Sequence, residues 1–230
     1  MFDYAKTKAV LWDLDDTLYS RRAAAEKVFP GMLKEHLYPS APTSFLKEAA
    51  AYMMTKVKRN TMIHEDVFTA LIEKYPPELP YVRDRCIDHY YLHFPEFVEL
   101  FPVSIPILKK LRAAGIKTGL ITNIPQERVS PQWAKIQALG LPELMDIVIV
   151  SGELGIHKPD PRIFEYAAAQ LGVQPDDCIF VGDDPETDIA GAINAGMEAV
   201  WLDVWNSENP FQNTGRVSKV SSVLDYFGNL

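Results

Sequence analysis

The sequence predicts an α/β fold: a parallel sheet with helices on both faces, interrupted by an all-helical insertion. Three observations carry this reading. From residue 102 onward, short apolar runs alternate with stretches of helical periodicity. One further strand-like run, Ala9-Val10-Leu11-Trp12, stands alone near the start of the chain. Between them, residues 20–100 have helical periodicity with breaks and no convincing strand.

The elements follow in order. Residues 8–14 read as a strand that ends in carboxylates. Residues 103–114 (VSIPILKKLRAA) read as an amphipathic helix ended by Gly115. Residues 117–122 (KTGLIT) are a strand, 127–138 a helix with Gly140 after it, and 145–150 (MDIVIV) a strand. Residues 161–171 form a helix with Pro161 in its first turn and Gly172 at its end. Residues 178–182 (CIFVG) are a strand, 186–195 a helix and 199–204 (AVWLDV) a strand. Residues 206–218 read as a surface loop, and a short helix closes the chain at 221–227. Strands this apolar alternating with helices belong to a sheet covered on both faces. The expected division is a core of residues 1–17 and 101–230, with residues 18–100 inserted.

Composition bounds the function. The chain has 230 residues, 47% of them hydrophobic, enough for one domain plus an insertion. No run of about 18 apolar residues occurs, so no membrane span is expected. The start, MFDYAKTKAV, lacks a signal-peptide layout. Cys86 and Cys178 form no CxxC, and Cys178 opens an apolar run, so a buried thiol in a reducing cytoplasm is the expectation. A net charge of −8 argues against nucleic acid as a partner. Residues 18–100 carry 11 basic and 11 acidic groups; the remaining residues carry 12 and 20, and hold the whole excess. Carboxylates concentrated in this way repel unless a cation joins them, so a divalent metal is expected.

Four segments at or just after strand ends carry the chemistry. The first holds Asp13, Asp15 and Thr17 (DLDDTL, 13–18). The second is ITN, with Thr122 and Asn123. The third is HKPDP (157–161), with Lys158 just before a helix. The fourth is GDDPETD (182–188), with Asp183 and Asp188. Right-handed crossovers place all four at one edge of the sheet, where α/β folds bind ligands. Paired carboxylates suit Mg²⁺, and an aspartate can attack phosphorus. A phosphoryl-transfer transition state needs such a metal and such an ammonium around it. No GxxxxGK[ST] or GxGxxG occurs.

In their order and over nearly the whole length, these motifs resemble the haloacid dehalogenase superfamily. The nearest branch is that of phosphatases with a helical cap inserted after the first strand of a Rossmann-like core. The resemblance implies roles. Asp13 would be the nucleophile and Asp15 the general acid and base, its backbone carbonyl reaching the metal. Thr122 would bind the transferring phosphate and Asn123 would flank it. Lys158 would hold nucleophile and phosphate together. Asp183 would be a further metal ligand, and Asp188 would fix Lys158 or a metal-bound water. Dehalogenases of this core lack a carboxylate two residues after the nucleophile. A leaving alkoxide needs a proton and a halide does not, so Asp15 favours ester cleavage.

Other residues have plainer readings. Asp16, Asp184 and Thr17 can cap or tie the loops they occupy, and His157 reads as structural or exposed. Arg21, Arg22, Lys56, Lys58 and Arg59 read as solvated faces before they read as substrate contacts. The run YYLHFPEFVELF (90–101) reads first as packing between helices. His64, His89 and His93 lack metal-ligand spacing, so no metal is expected in the insertion. The expectation is therefore a cytoplasmic, Mg²⁺-dependent phosphatase of a small phosphorylated metabolite, monomer or homodimer. The alternatives are a 2-haloacid dehalogenase or phosphomutase on the same core, or a non-catalytic binding or regulatory protein.

Overall fold

A computed structural model of the protein describes residues 6–57, 63–203, 210–211, 217–220 and 226–227. In chain order the elements are β1 (Ala9–Trp12), α1 (Arg21–His36), α2 (Thr43–Lys56), α3 (Glu65–Lys74), α4 (Arg83–His93) and α5 (Ser104–Ala113). There follow β2 (Lys117–Thr122), α6 (Val129–Ala138), α7 (Leu141–Leu144), β3 (Ile147–Val150), α8 (Ser151–Leu154) and α9 (Pro161–Leu171). The last are β4 (Cys178–Gly182), α10 (Ala190–Asn194), β5 (Glu198–Leu202) and β6 (Val217–Val220). A single π-helical turn, Pro185–Ile189, leads into α10. The chain divides into two compact units, Met1–Tyr19 with Leu100–Leu230, and Ser20–Glu99.

The first unit is a six-stranded parallel sheet of order β3-β2-β1-β4-β5-β6. β1 lies between β2 and β4, with Leu11 opposite Gly119 and Phe180. Its four residues are fully buried, so both faces of the sheet are covered. On one face Ala9 and Leu11 join Ile121, Phe180, Trp201 and the apolar side of α9, Ile163, Phe164, Ala167 and Ala168. Phe164 meets Phe180 edge-on, with ring centroids 4.9 Å apart. Burying such a ring contributes about 1.5–3 kcal/mol. On the other face Trp12 stacks at 5.5 Å on Phe227. Helix α9 spans the residues its end signals predict: Asp160 caps it, Pro161 opens it, and Gly172 closes it in the left-handed region at φ 67°.

The second unit is helical. Ser20 Oγ accepts the Ala23 amide and starts α1, whose buried face is Ala24, Ala25, Val28, Phe29, Met32 and Leu33. α1 packs on α2 through Leu46, Ala49, Ala50, Met53 and Met54, and on α4 through Cys86, Ile87 and Tyr90. Tyr38 Oη donates to the Tyr75 carbonyl at 2.5 Å, and burial pushes this phenol up to about 12. No helix among the described residues is long and apolar enough to cross a membrane.

The sequence reading needs three corrections here. Val217–Val220, whose first two residues lay in the predicted 206–218 loop, is a sixth strand paired with β5. An edge strand of sequence VSKV needs only main-chain partners and leaves little trace in hydropathy. The predicted helix 186–195 begins as the π-helical turn and becomes α-helical only at Ala190. Predicted strand 145–150 starts at Ile147, after the short helix α7. Of the predicted closing helix 221–227, residues 226–227 are helical; its other residues, and most of the 206–218 loop, lie outside the described ones.

Candidate active site

β1 stops at Trp12, but the ladder runs one bond further: the Asp13 amide donates to the Val181 carbonyl at 2.8 Å. That bond fixes Asp13 at the carboxyl end of the central strand, where the side chain is almost wholly buried. Beyond Leu14 and Asp15 the chain turns at Asp16, a non-glycine residue at φ 63°. This left-handed conformation costs about 1–2 kcal/mol in an L-residue and is least costly for Asp or Asn.

Lys158 reaches Asp13 from the loop before α9. Its Nζ lies 2.6 Å from Asp13 Oδ1 and 2.7 Å from Asp188 Oδ1. The loop is held by Asn123, which donates from Nδ2 to the Lys158 carbonyl at 2.8 Å and accepts the Lys158 amide at Oδ1 at 2.9 Å. His157 completes the loop by pairing with Ser151 Oγ at 2.8 Å. The Lys158–Pro159 peptide is cis.

The carboxylates come from β4 and the turn after it. Trp201 Nε1 donates to the Asp183 carbonyl at 3.0 Å and locks the backbone there. Asp184 turns away to cap the π-helical turn, accepting the amides of Glu186 at 2.8 Å and Thr187 at 3.1 Å. That cap starts the turn that returns Asp188 to the site, fully buried and beside Gly182. Ligand oxygens of Asp13, Asp183 and Asp188 all lie within 4.8 Å of one another.

Burial and the Asp13 charge push Asp188 up to about 7 against the opposing pull of Lys158. Burial works against charge on Lys158, but Asp13 and Asp188 outweigh it and raise its pKa above the ordinary lysine value. Lys158 pairs with Asp13 and Asp188, and Asp183 adds the negative charge of a third carboxylate to the same buried cluster. A divalent cation balances that charge, and an all-oxygen donor set suits a hard ion.

The other residues singled out from sequence are placed as follows. Thr122 is buried at the end of β2, and its Oγ1 accepts from Gln132 Nε2 at 2.6 Å. Asn123, directly after β2 and beside Thr122, uses its amide to grip the backbone of Lys158. The Asp15 carboxylate lies outside the three-carboxylate cluster. It accepts from Lys135 Nζ at 2.8 and 2.9 Å and from Tyr19 Oη. Thr17 Oγ1 is buried with no hydrogen-bond partner among the described residues. Sequence reasoning missed Lys135, Gln132 and Tyr19. One signal was available: Gln132, Lys135 and Ile136 share the buried face of α6, and a lysine on such a face needs a carboxylate.

A parallel α/β sheet that gathers buried carboxylates and a lysine at its carboxyl edge has the layout of an α/β enzyme, whose ligands bind at that edge. Residues 7–196 match the haloacid dehalogenase-like hydrolase family, and the chain belongs to it. A glyceraldehyde 3-phosphate phosphatase of Methanopyrus kandleri is 34% identical over 197 residues, covering 84% of this chain and 82% of that one. A phosphoserine phosphatase of Thermus thermophilus is 40% identical over 105 residues, 45% of this chain and 41% of that one. Among solved structures, the magnesium-bound hydrolase YfnB of Bacillus subtilis matches with a TM-score of 0.75 at 17% identity, covering 98% of this chain and 99% of that one. That likeness speaks for the fold.

Proposed function

We propose that this enzyme is a Mg²⁺-dependent phosphatase that hydrolyses the phosphate monoester of a small metabolite through an aspartyl-phosphate on Asp13. The observation that carries this is the Asp13–Lys158–Asp188 ion-pair chain at the carboxyl end of the central strand, with Asp183 beside it. Asp13, Asp183 and the Asp15 carbonyl would hold Mg²⁺, with Asp188 behind them. The bound ion would supply positive charge to the phosphate oxygens and to the nucleophile.

The rest of the chemistry falls to the chain. An Asp13 oxygen attacks phosphorus, and the bond from phosphorus to the ester oxygen breaks. Asp15, which must take up a proton from solvent before this step, gives it to the leaving alkoxide. Asp15 then takes a proton from water, whose oxygen attacks the same phosphorus. Inorganic phosphate leaves and Asp13 is restored as a carboxylate. Lys158 stays within reach of Asp13 through both steps and offsets charge on the equatorial oxygens. Thr122 Oγ1, which accepts from Gln132, still has its own proton to donate to phosphate.

In this reading residues 20–99 serve as the cap and restrict the site to small substrates. The relatives' names put glyceraldehyde 3-phosphate and phosphoserine first among the esters to try. The acidic net charge favours neither nucleic acid nor an anionic surface as a partner. Two free, buried thiols fit a reducing cytoplasm.

The test is phosphate release from p-nitrophenyl phosphate and a panel of small phosphate esters, with and without Mg²⁺, beside Asp13→Asn. The expected result is metal-dependent turnover reduced at least about 1,000-fold by Asp13→Asn. Halide release from 2-chloropropionate without ester cleavage would instead assign a dehalogenase.

A further inference from the structure

The helical unit brings together three side chains that the sequence leaves apart. Glu35 and His36 lie in the last turn of α1, and His89 lies on α4, 53 residues from His36. Spacing along the chain gives no hint of this, because the ligands meet only when α1 packs on α4. Phe29 and Tyr90 seal that contact, with ring centroids 6.1 Å apart. Gly31, one turn before Glu35, leaves the α1 backbone open beside the ring: a Cβ there would sit 3.7 Å from His89 Nε2.

His36 Nε2 and His89 Nδ1 are 3.2 Å apart. Glu35 places Oε2 3.3 Å from His89 Nδ1 and Oε1 3.7 Å from His36 Nε2. The two Glu35 distances run to different oxygens; taking one ligand atom from each residue, all three lie within 4.8 Å of one another, and a small turn of the exposed carboxylate would close them to a coordination face. Bonds of about 2.0–2.1 Å at tetrahedral angles separate neighbouring ligand atoms by roughly 3.3–3.4 Å. A hydrogen bond between the two rings accounts for only part of the arrangement. The ring that donates has one N–H at this point, which the other ring and the carboxylate share. A cation at the centre would instead engage one lone pair from each of the three groups.

We propose that Glu35, His36 and His89 form a site for a divalent transition-metal ion of the Zn²⁺ class, with solvent as its fourth ligand. Two imidazoles and a carboxylate are borderline ligands that suit Zn²⁺ rather than Mg²⁺. The imidazoles are largely buried, with side chains 17% and 10% exposed, whereas Glu35 is 63% exposed and leaves the fourth position open to water. His93 stacks on His89 with centroids 4.4 Å apart, and its own Nδ1 is taken by Glu96 at 2.7 Å, so it supports the ligand rather than adding one. The ion would clip the end of α1 to α4, a role independent of the reaction proposed for Asp13.

The experiment is calorimetric titration of the chelator-treated full chain with Zn²⁺ in excess Mg²⁺. Wild type, His36→Gln, His89→Gln, Glu35→Gln and Asp183→Asn are compared, and circular dichroism establishes that each is folded. The expected result is one Zn²⁺ site that survives in Asp183→Asn. Its affinity falls at least about tenfold in each of the three ligand variants. Glu35→Gln changes an exposed group and keeps the test valid if a histidine variant fails to fold. Equal Zn²⁺ affinity in wild type and Glu35→Gln, or loss only in Asp183→Asn, overturns the proposal and leaves a hydrogen-bonded histidine pair.

Discussion

Lys135 Nζ lies 2.8 Å from one oxygen of Asp15 and 2.9 Å from the other, a two-point ion pair between residues 120 positions apart. The ammonium also lies 5.6 Å from the centroid of the Tyr19 ring, whose hydroxyl donates to the same carboxylate. Asp15 is thus held by α6 on one side and by its own loop on the other.

Lys135→Met breaks that hold. Hydrogen bonds to charged groups are worth about 1.5–3 kcal/mol, so kcat/KM falls roughly 10- to 100-fold if the pair orients Asp15 for proton transfer. Lys135→Arg, which keeps the charge, retains more activity than Lys135→Met. Steady-state kinetics on one ester decide it. Equal activity in wild type and Lys135→Met would show that the pair is only structural.

Lys158→Met removes the ammonium that pairs with two carboxylates of a buried group of three. Breaking one side of a buried ion pair costs about 3–5 kcal/mol. In chelator-treated protein at neutral pH, urea unfolding should show a loss of that size. A loss under about 1 kcal/mol would mean that the carboxylates relax toward solvent when the lysine is gone.

Much of this fold is written locally. β2, β4 and α9 occupy the predicted residues, because each is a short apolar run or an amphipathic stretch bounded by Gly or Pro. Asp13, Lys158, Asp183 and Asp188 are legible together because each sits at a strand end or at the start of the next element, where topology forces convergence. What the sequence hides depends on packing. Lys135 looks like a surface residue until α6 lies against the loop after β1. His36 and His89 look unrelated until α1 meets α4. Asn123 has no local signal that its amide will clasp a backbone 35 residues away.

Asp188 makes the metal-free protein sensitive to pH. Its pKa stands near 7 in the folded chain against an ordinary value of 3.8. Between those values the folded state holds more protons at this site than the unfolded state, so stability falls as pH rises. Lys158, with its pKa raised, stays charged throughout that window and adds no slope. Chelator-treated wild type should therefore lose more melting temperature between about pH 5 and pH 7.5 than Asp188→Asn does. Saturating Mg²⁺ should shrink the wild-type slope, because the cation stabilises the ionised carboxylates. Parallel slopes for the two proteins without metal would place the titrating group elsewhere.

Gly182 is the last residue of β4, paired with Trp201 of β5, and Asp188 folds back directly over it. A Cβ at Gly182 would fall 2.6 Å from both Cβ and Cγ of Asp188, and closer still to Oδ2. The strand is fixed by its ladder, so the carboxylate must yield, and with it the 2.7 Å contact to Lys158. Overpacking of this kind costs about 1–3 kcal/mol. Gly182→Ala should accordingly lose stability in that range and lower kcat by at least about tenfold, through Asp188 rather than through the strand. A double-mutant cycle separates the two causes: in an Asp188→Gly background the Cβ, Cγ and Oδ2 that clash are all gone, and the stability cost of Gly182→Ala should fall by more than half. An undiminished cost there would show that β4 itself cannot accept a side chain at this position, and that Gly182 serves the sheet rather than the site.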